Sequence, residues 1–351
     1  MKKQPLVSII TACYNGELYI SRCIEKVLEQ DYNNVEMIIV NDGSVDKTEE
    51  IILGYKEKFK ERGYRLIYIK QENQGVGGAT NNALKHINGD YFTLCDADNF
   101  YISDYLSEMV SFFQNNSKFS IVRCDGFVFK EDDIVAPIST MAGKHGEHYN
   151  ENLFENCLFL KNFHLGGAMF KTSDFDKINP MREIYPSRHG QNWQILLPML
   201  YYFKSGYIDK PLCCITYRKN SVYNAVLTQD AARQYERTDD YCKIIQETFK
   251  LINMPNEECE YYLKKINLKY ARQRLIIAAK FKDIKKIEEE YTFLKKEGEV
   301  TKSDKNWYYR GKNKGYDLIF RFAQKLKSAI RKIKKPLSKL FKRKQTNANS
   351  R

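Results

Sequence analysis

Four short β-rich apolar runs, each separated from the next by a helical stretch, fill the first hundred residues of this chain. Residues 6–12 (Leu-Val-Ser-Ile-Ile-Thr-Ala), 35–40, 65–70 and 91–95 read as buried strands. Between them, 17–30 carries Ile20, Ile24, Val27 and Leu28 at helical spacing. Residues 46–60 and 77–87 also read as helices, and Ser44 or Asp46 is placed to cap the former. Strands alternating with helices predict right-handed βαβ units, so the expected fold class is α/β, a mostly parallel sheet flanked by helices. Ligands of such sheets bind beyond the carboxyl ends of the strands.

Those ends are polar here. Tyr14-Asn15-Gly16 closes the first run, Asn41-Asp42-Gly43-Ser44 the second and Asp96-Ala97-Asp98 the fourth. Two carboxylates one residue apart at a strand mouth can hold a divalent metal against a diphosphate, and hard oxygen ligands suit Mg²⁺ or Mn²⁺. Asp-x-Asp alone is a common chance match, with a solvated loop as the ordinary alternative. Its company at two other polar strand ends points to a nucleotide site. The run Gln74-Gly75-Val76-Gly77-Gly78-Ala79-Thr80-Asn81 enters a helix, where small residues and free N–H groups allow close approach of a nucleotide.

The segments Pro5–Gly16, Val35–Thr48 and Gly89–Asp98, in this order and spacing, strongly resemble glycosyltransferase family 2. These are inverting enzymes of the GT-A fold. The resemblance covers about residues 5–225, most specifically 5–100. It implies that Thr11, Tyr14 and Asn15 line the nucleotide base and ribose, and that Asp42 accepts the imide N–H of uracil. For Asp42 a turn role at the Gly43-Ser44 bend is the alternative. Gly75 and Asn81 match the Gly-rich segment at the nucleotide. Asp96, Ala97 and Asp98 match the metal motif, with Asp98 as direct ligand and Asp96 on ribose, the metal or a metal-bound water. Gly166 and Gly167 match a segment near acceptor and donor sugar, with a tight turn as the alternative.

The chain departs from the family at three places. Thr80 stands where Arg is frequent, so the phosphate contact is missing or supplied elsewhere. Asn99 replaces a frequent third acid. His189-Gly190-Gln191-Asn192-Trp193 stands where the family has Glu-Asp, the Asp being the general base. Neither Gln191 nor Asn192 ionises. His189 is the nearest titrating group; Glu183 and Asp174 are alternatives, and weak catalysis is another. Trp193 stacks on a sugar face or packs in the core.

The expected activity is metal-dependent transfer of a sugar, with inversion, from a UDP-sugar to a hydroxyl of a glycan or lipid-linked acceptor in surface polysaccharide synthesis. The competing class is a non-catalytic nucleotide-sugar-binding or scaffold protein. The expected organisation is a catalytic domain over 1–225, a helical extension and connector over 226–317, and a basic amphipathic tail over 318–351. Within the first, Phe119–Lys130 reads as a strand pair or one bent strand, 195–203 as a helix and 207–217 as a strand. Residues 229–297 read as helical with breaks at Pro255 and near Lys282, and 298–317 as a polar connector.

Charge separates the tail from the rest. Of 57 Lys and Arg, twelve follow Asp317, where no acid occurs, leaving 45 basic against 44 acidic residues in the body. Ile319, Phe322, Leu326, Ile330, Ile333, Leu337 and Leu340 recur at three- and four-residue steps among those cations. That pattern through 318–344 suits an interfacial helix on anionic lipid. A helix docked on the body and a nucleic-acid contact are the alternatives, but no DNA- or RNA-reading module accompanies it, so no nucleic acid is expected. The nine cysteines lack metal-binding spacing, and with no secretory signal they favour a reducing cytosol. The expected location is cytoplasmic and peripheral at the inner membrane face.

Overall fold

The computed structural model describes residues 4–141, 153–160, 166–218, 230–323 and 326. The chain divides into two compact units, Met1–Thr228 with Asp239–Leu263, and Gln229–Thr238 with Lys264–Arg351.

The first unit is built on one sheet. Its strands are β1 (Val7–Cys13), β2 (Val35–Asp42), β3 (Arg65–Gln71), β4 (Tyr91–Leu94), β5 (Phe100–Tyr101), β6 (Ile121–Lys130), β7 (Ser139–Thr140), β8 (Ala168–Lys171) and β9 (Ser205–Tyr217). The order across the sheet is β3-β2-β1-β4-β8-β6-β9-β5, with β7 beside β6. Strands β1 to β4 pair in parallel, β8 runs antiparallel to both neighbours, and β6 and β9 are parallel again. The expected α/β class with a mostly parallel sheet is therefore what the chain forms. β6 is one strand whose register with β9 shifts around Asp125, the bent alternative of the two expected for 119–130.

The helices follow from what they bury. Helix α1 (Ile20–Leu28) turns Ile20, Cys23, Ile24 and Val27 inward. They join Val7, Ile9 and Cys13 of β1, Met37 and Ile39 of β2, and Met109 and Phe113 of the helix 105–115 in one core. The single helix expected over 46–60 is two, α2 (Thr48–Gly54) and α3 (Lys56–Arg62), joined at Tyr55. α4 (Gly75–Leu84) lies on β1 and β2 and buries Ala79, Ala83 and Leu84. Further along are α5 (Tyr105–Asn115), α6 (Phe154–Phe159), α7 (Thr172–Ile178) and α8 (Gln191–Tyr202).

Helices α9 (Ala231–Phe249), α10 (Asn256–Phe281) and α11 (Ile284–Lys296) match the expected helical stretch, with Lys282 at φ 62° marking the expected break. The polar connector expected over 298–317 is instead largely helical, α12 (Lys302–Lys312). A capping box starts it: Thr301 Oγ1 accepts from Asp304 N, and the Asp304 carboxylate accepts from Thr301 N. Trp307 and Tyr308 then pack on the second unit's core of Leu268, Leu275, Ile287 and Leu294. Residues 314–323 are helical, and Leu318, Ile319 and Phe322, with Leu326, are exposed. Ile330, Ile333, Leu337, Leu340 and the rest of the expected tail lie outside the described residues. Among the described residues no helix is long and apolar enough to cross a membrane.

Candidate functional site

Parallel register brings the polar strand ends to one edge of the sheet. Cys13 is level with Asn41, and Asp42 with Gln71, while Ile10 pairs with Leu94 just before the Asp96-Ala97-Asp98 turn. Asn15 adopts the left-handed region at φ 48°, which Asn tolerates better than most residues. Its N–H donates to Ser44 Oγ (2.9 Å) and its Oδ1 accepts from Val45 N (3.0 Å), so the ends of β1 and β2 are tied together. Tyr14 stands exposed beside this junction.

The Asp42 carboxylate is buried, and both of its oxygens are engaged within the chain. Oδ1 accepts from Gln71 Nε2 and Gln74 N, both at 2.8 Å, and Oδ2 from Gly75 N at 2.9 Å. It therefore fixes the start of α4. Three N–H groups of the Gly-rich run are taken: Gln74 and Gly75 donate to Asp42, and Gly77 N donates to Ser187 O (2.8 Å). The glycines allow another close approach. A Cβ on Gly77 would lie 2.5 Å from Ser187 N, and one on Gly75 3.2 Å from Arg188 Cα. The segment that packs there belongs to the acceptor side of the expected site.

Three carboxamides hold that segment by its backbone. Asn179, Asn81 and Gln194 each accept from the N–H and donate to the C=O of one residue, Glu183, Ile184 and Tyr185 respectively, over 2.7–3.1 Å. Each side chain thus serves its residue as a neighbouring strand would. Asn81 is in this way committed to Ile184. Ser187 Oγ donates to His189 O, and the His189 ring lies 5.7 Å from that of Tyr241.

The two carboxylates of the Asp-x-Asp turn meet both halves of the site. Asp96 Oδ1 accepts from Gln191 Nε2 (3.1 Å) at the start of α8, and Oδ2 from Asn99 Nδ2 (3.2 Å). Burial and the nearby Asp98 carboxylate push its pKa up to about 6. Asp98 Oδ2 lies 2.7 Å from Arg218 Nη2, just past the end of β9. Burial opposes the charge on Arg218, yet Asp98 holds its pKa above the ordinary value. Asn99, in place of an acid, ties Asp96 to β9 through Oδ1, which accepts from Thr216 N (3.0 Å).

These donors fit a divalent cation shared with a substrate. Asp96 and Asp98 offer hard oxygens on one turn, and both are partly exposed. Among the described residues no group of three or more His, Cys, Asp or Glu is placed to hold a metal. A cation here would need phosphate and water oxygens to complete its shell, which Mg²⁺ and Mn²⁺ accept readily.

Other expected site residues lie elsewhere. Thr11 is fully buried, on the same face of β1 as Ile9 and Cys13, so its side chain faces the core and lines no open surface. Trp193 is 3% exposed, and its indole N–H donates to Cys157 O (2.8 Å) while Tyr241 meets its face edge-on. It is a core residue, and stacking on a sugar is corrected to packing. Gly167, at φ 66°, is held where a Cβ would lie 2.8 Å from both Cys124 Sγ and Cys213 Sγ, the tight-turn alternative. Gly166 precedes it and is partly buried. Of the alternative bases, Glu183 pairs with Lys85 (2.8 Å), and Asp174 with Lys177 and Ser120 (2.7 Å each). Asn192 is partly exposed in the first turn of α8. Arg218 is the residue that sequence reasoning missed; a basic residue closing a late strand was the available signal.

Comparison with known proteins agrees with this geometry. GlyA, a glycosyltransferase of Streptococcus pneumoniae serotype 4, is 26% identical over 190 residues, which is 54% of this chain and 23% of that protein. The chain spans less than half the length of the curated relatives it matches first. S. aureus TarS in complex with UDP-GlcNAc superposes with a TM-score of 0.55 at 16% identity, covering 89% of this chain and 88% of that one. The mannosyltransferase PcManGT from Pyrobaculum calidifontis, in complex with GDP-Man and Mn²⁺, gives 0.53 at 17% identity, covering 90% and 85%. These two likenesses show the GT-A fold. Residues 8–178 match the family described as Glycosyl transferase family 2, and this segment of the chain belongs to that family.

Proposed function

We propose that the protein transfers a sugar from a nucleotide diphosphate, UDP in the first instance, to a hydroxyl of a glycan or lipid-linked acceptor, with inversion. The observation that carries this reading is the meeting of Asp96 with Gln191: the metal motif and the acceptor-side helix share one hydrogen bond. The ligands of the structural neighbours, UDP-GlcNAc and GDP-Man with Mn²⁺, support a nucleotide-sugar donor.

In this mechanism the carboxyl edge of β1 to β4 receives the nucleotide, with Tyr14, Asn15 and Asp42 around it. Asp96 and Asp98 would hold Mg²⁺ or Mn²⁺, which when bound offsets charge growing on the leaving diphosphate. The acceptor oxygen attacks the anomeric carbon as the bond to the diphosphate breaks. A base must take the acceptor proton, and His189 is our assignment, since it stands two residues before Gln191 while Glu183 and Asp174 are engaged with lysines.

The competing reading, a nucleotide-sugar-binding scaffold, draws on Gln191 and Asn192, which cannot ionise. Hydrolysis or transfer across a set of nucleotide sugars, with Mn²⁺ and with chelator, separates the two. Metal-dependent turnover supports the transferase; binding without turnover of any donor sinks it. His189→Ala with unchanged turnover removes His189 as base.

We also propose that 318–344 lies on an anionic membrane surface, as suits a lipid-linked acceptor in surface polysaccharide synthesis at the inner membrane face. Exposed Leu318, Ile319 and Phe322 amid a tail rich in Lys and Arg support this. Removal of 318–351 should abolish binding to phosphatidylglycerol vesicles and leave transfer to a soluble acceptor. Undiminished vesicle binding refutes the anchor.

A further inference from the structure

β9 delivers a cation to the Asp-x-Asp turn. Arg218 Nη2 lies 2.7 Å from Asp98 Oδ2. Its guanidinium also covers the Tyr19 ring, 4.6 Å from the centroid. The backbones carrying the pair are stitched together. The Asp98 carbonyl accepts from Arg22 Nη2 (2.9 Å) and from Thr216 Oγ1 (2.7 Å), and Asn99 Oδ1 takes Thr216 N–H. The ion pair is thus a meeting of two side chains on fixed supports, so either side chain can change partner without the strands moving.

The chemistry favours such an exchange. A partly exposed ion pair contributes little to stability. A divalent cation competes with the guanidinium for the Asp98 oxygen. A diphosphate offers the guanidinium a bidentate anionic partner, which planar Arg binds better than Lys does.

Resting on the donor reading above, we propose that Arg218 is a partner-exchanging cation. It neutralises Asp98 in the free protein and turns to the diphosphate of the nucleotide sugar when Asp98 takes a divalent ion. The exchange has a signature that a merely structural role lacks: removing the charge acts in opposite directions on the metal and on the nucleotide.

The test uses the full chain and calorimetric binding of MnCl₂ alone, of UDP and GDP each with MnCl₂, and of uridine. For Arg218→Gln, Mn²⁺ alone should bind about two- to fivefold tighter, the loss of a competing surface ion pair. The nucleoside diphosphate should bind about tenfold weaker or worse, the loss of a charge-assisted contact. Uridine affinity should not change, and Arg218→Lys should recover part of the diphosphate affinity. Weakening of both metal and nucleotide, or an unchanged diphosphate affinity, overturns the proposal while leaving the donor reading intact. Wild-type protein that binds neither UDP nor GDP in the presence of Mn²⁺ overturns both.

Discussion

Gln191 Nε2 donates to Asp96 Oδ1 over 3.1 Å, joining residues 95 positions apart, while Asn99 Nδ2 holds the other oxygen at 3.2 Å. Asp96 is therefore oriented at both oxygens by neutral carboxamides. Gln191→Ala removes one of them, about 1 kcal/mol for a hydrogen bond of this kind. We expect Mn²⁺–nucleotide affinity to fall about fivefold with the melting temperature little changed. Gln191→Glu sets a carboxylate against Asp96, where like charges resist joint ionisation. The acid limb of binding should then move to higher pH, measured by calorimetric titration across pH. A glutamate variant with the wild-type limb would contradict the contact.

The raised pKa of Asp96 fixes the sign of a pH effect. Only the ionised carboxylate binds a cation, so metal-dependent nucleotide binding should decline as pH falls through about 6. For stability the sign is reversed. The folded protein holds the Asp96 proton more tightly than the unfolded chain, whose value is near 3.8. Without ligand, stability should fall as pH rises from about 4 to about 6 and then level off, by on the order of 3 kcal/mol at most. Melts of wild type and Asp96→Asn from pH 4 to 8 isolate this contribution. Asn still accepts from one carboxamide, but its NH₂ faces the other donor, so the variant recovers only part of it.

Gly77 tests whether the glycine run serves the 185–188 segment. Its Cβ in Gly77→Ala would meet the backbone of Ser187, N at 2.5 Å and O at 2.8 Å, so no side-chain rotation relieves the clash. Overpacking of this kind costs about 1–3 kcal/mol. We expect a lowered melting temperature and weaker nucleotide binding together. Gly54→Ala, with nothing within 4 Å of the new Cβ, is the control and should melt as wild type does or higher.

Much of the sheet was legible because its strands are buried β-branched runs bounded by polar turns, and those turns are also where the candidate site forms. What pairs with what was not legible. Nothing local in Asp42 reveals that it caps α4, and nothing in Gln191 reveals Asp96. Helix α12 was missed because 298–317 is polar along its length. Its signals were the Thr301–Asp304 capping box and Trp307, local cues outweighed by composition. Trp193 shows the converse limit: an aromatic beside polar residues has no face until α6 and α9 close over it.

Trp193→Phe follows from that placement. The substitution empties part of a buried site and leaves the Cys157 carbonyl without its indole donor. A cost of about 1–3 kcal/mol is expected in a urea melt. If Trp193 only packs, KM for the acceptor should stay near wild type. A large rise in acceptor KM with unchanged stability would return the residue to the sugar.

The three-carboxamide grip on Glu183, Ile184 and Tyr185 supplies the last test. Gln194 is buried and meets Tyr185 through both its oxygen (2.7 Å) and its nitrogen (3.0 Å). Gln194→Leu is similar in size but leaves the Tyr185 N–H without its acceptor, at about 1–3 kcal/mol for a buried group left unmet, while the Tyr185 C=O keeps the Ser187 N–H at 2.8 Å. Gln194→Glu keeps an acceptor for the Tyr185 N–H but sets a buried carboxylate oxygen against the Tyr185 C=O, so at neutral pH it should cost at least as much as Leu. The segment also leads through Ser187, Arg188 and His189 to Gln191, the partner of Asp96. Both variants should therefore lower kcat and melting temperature together. Full kcat with a lowered melting temperature would show that the grip stabilises the fold without positioning the acceptor wall.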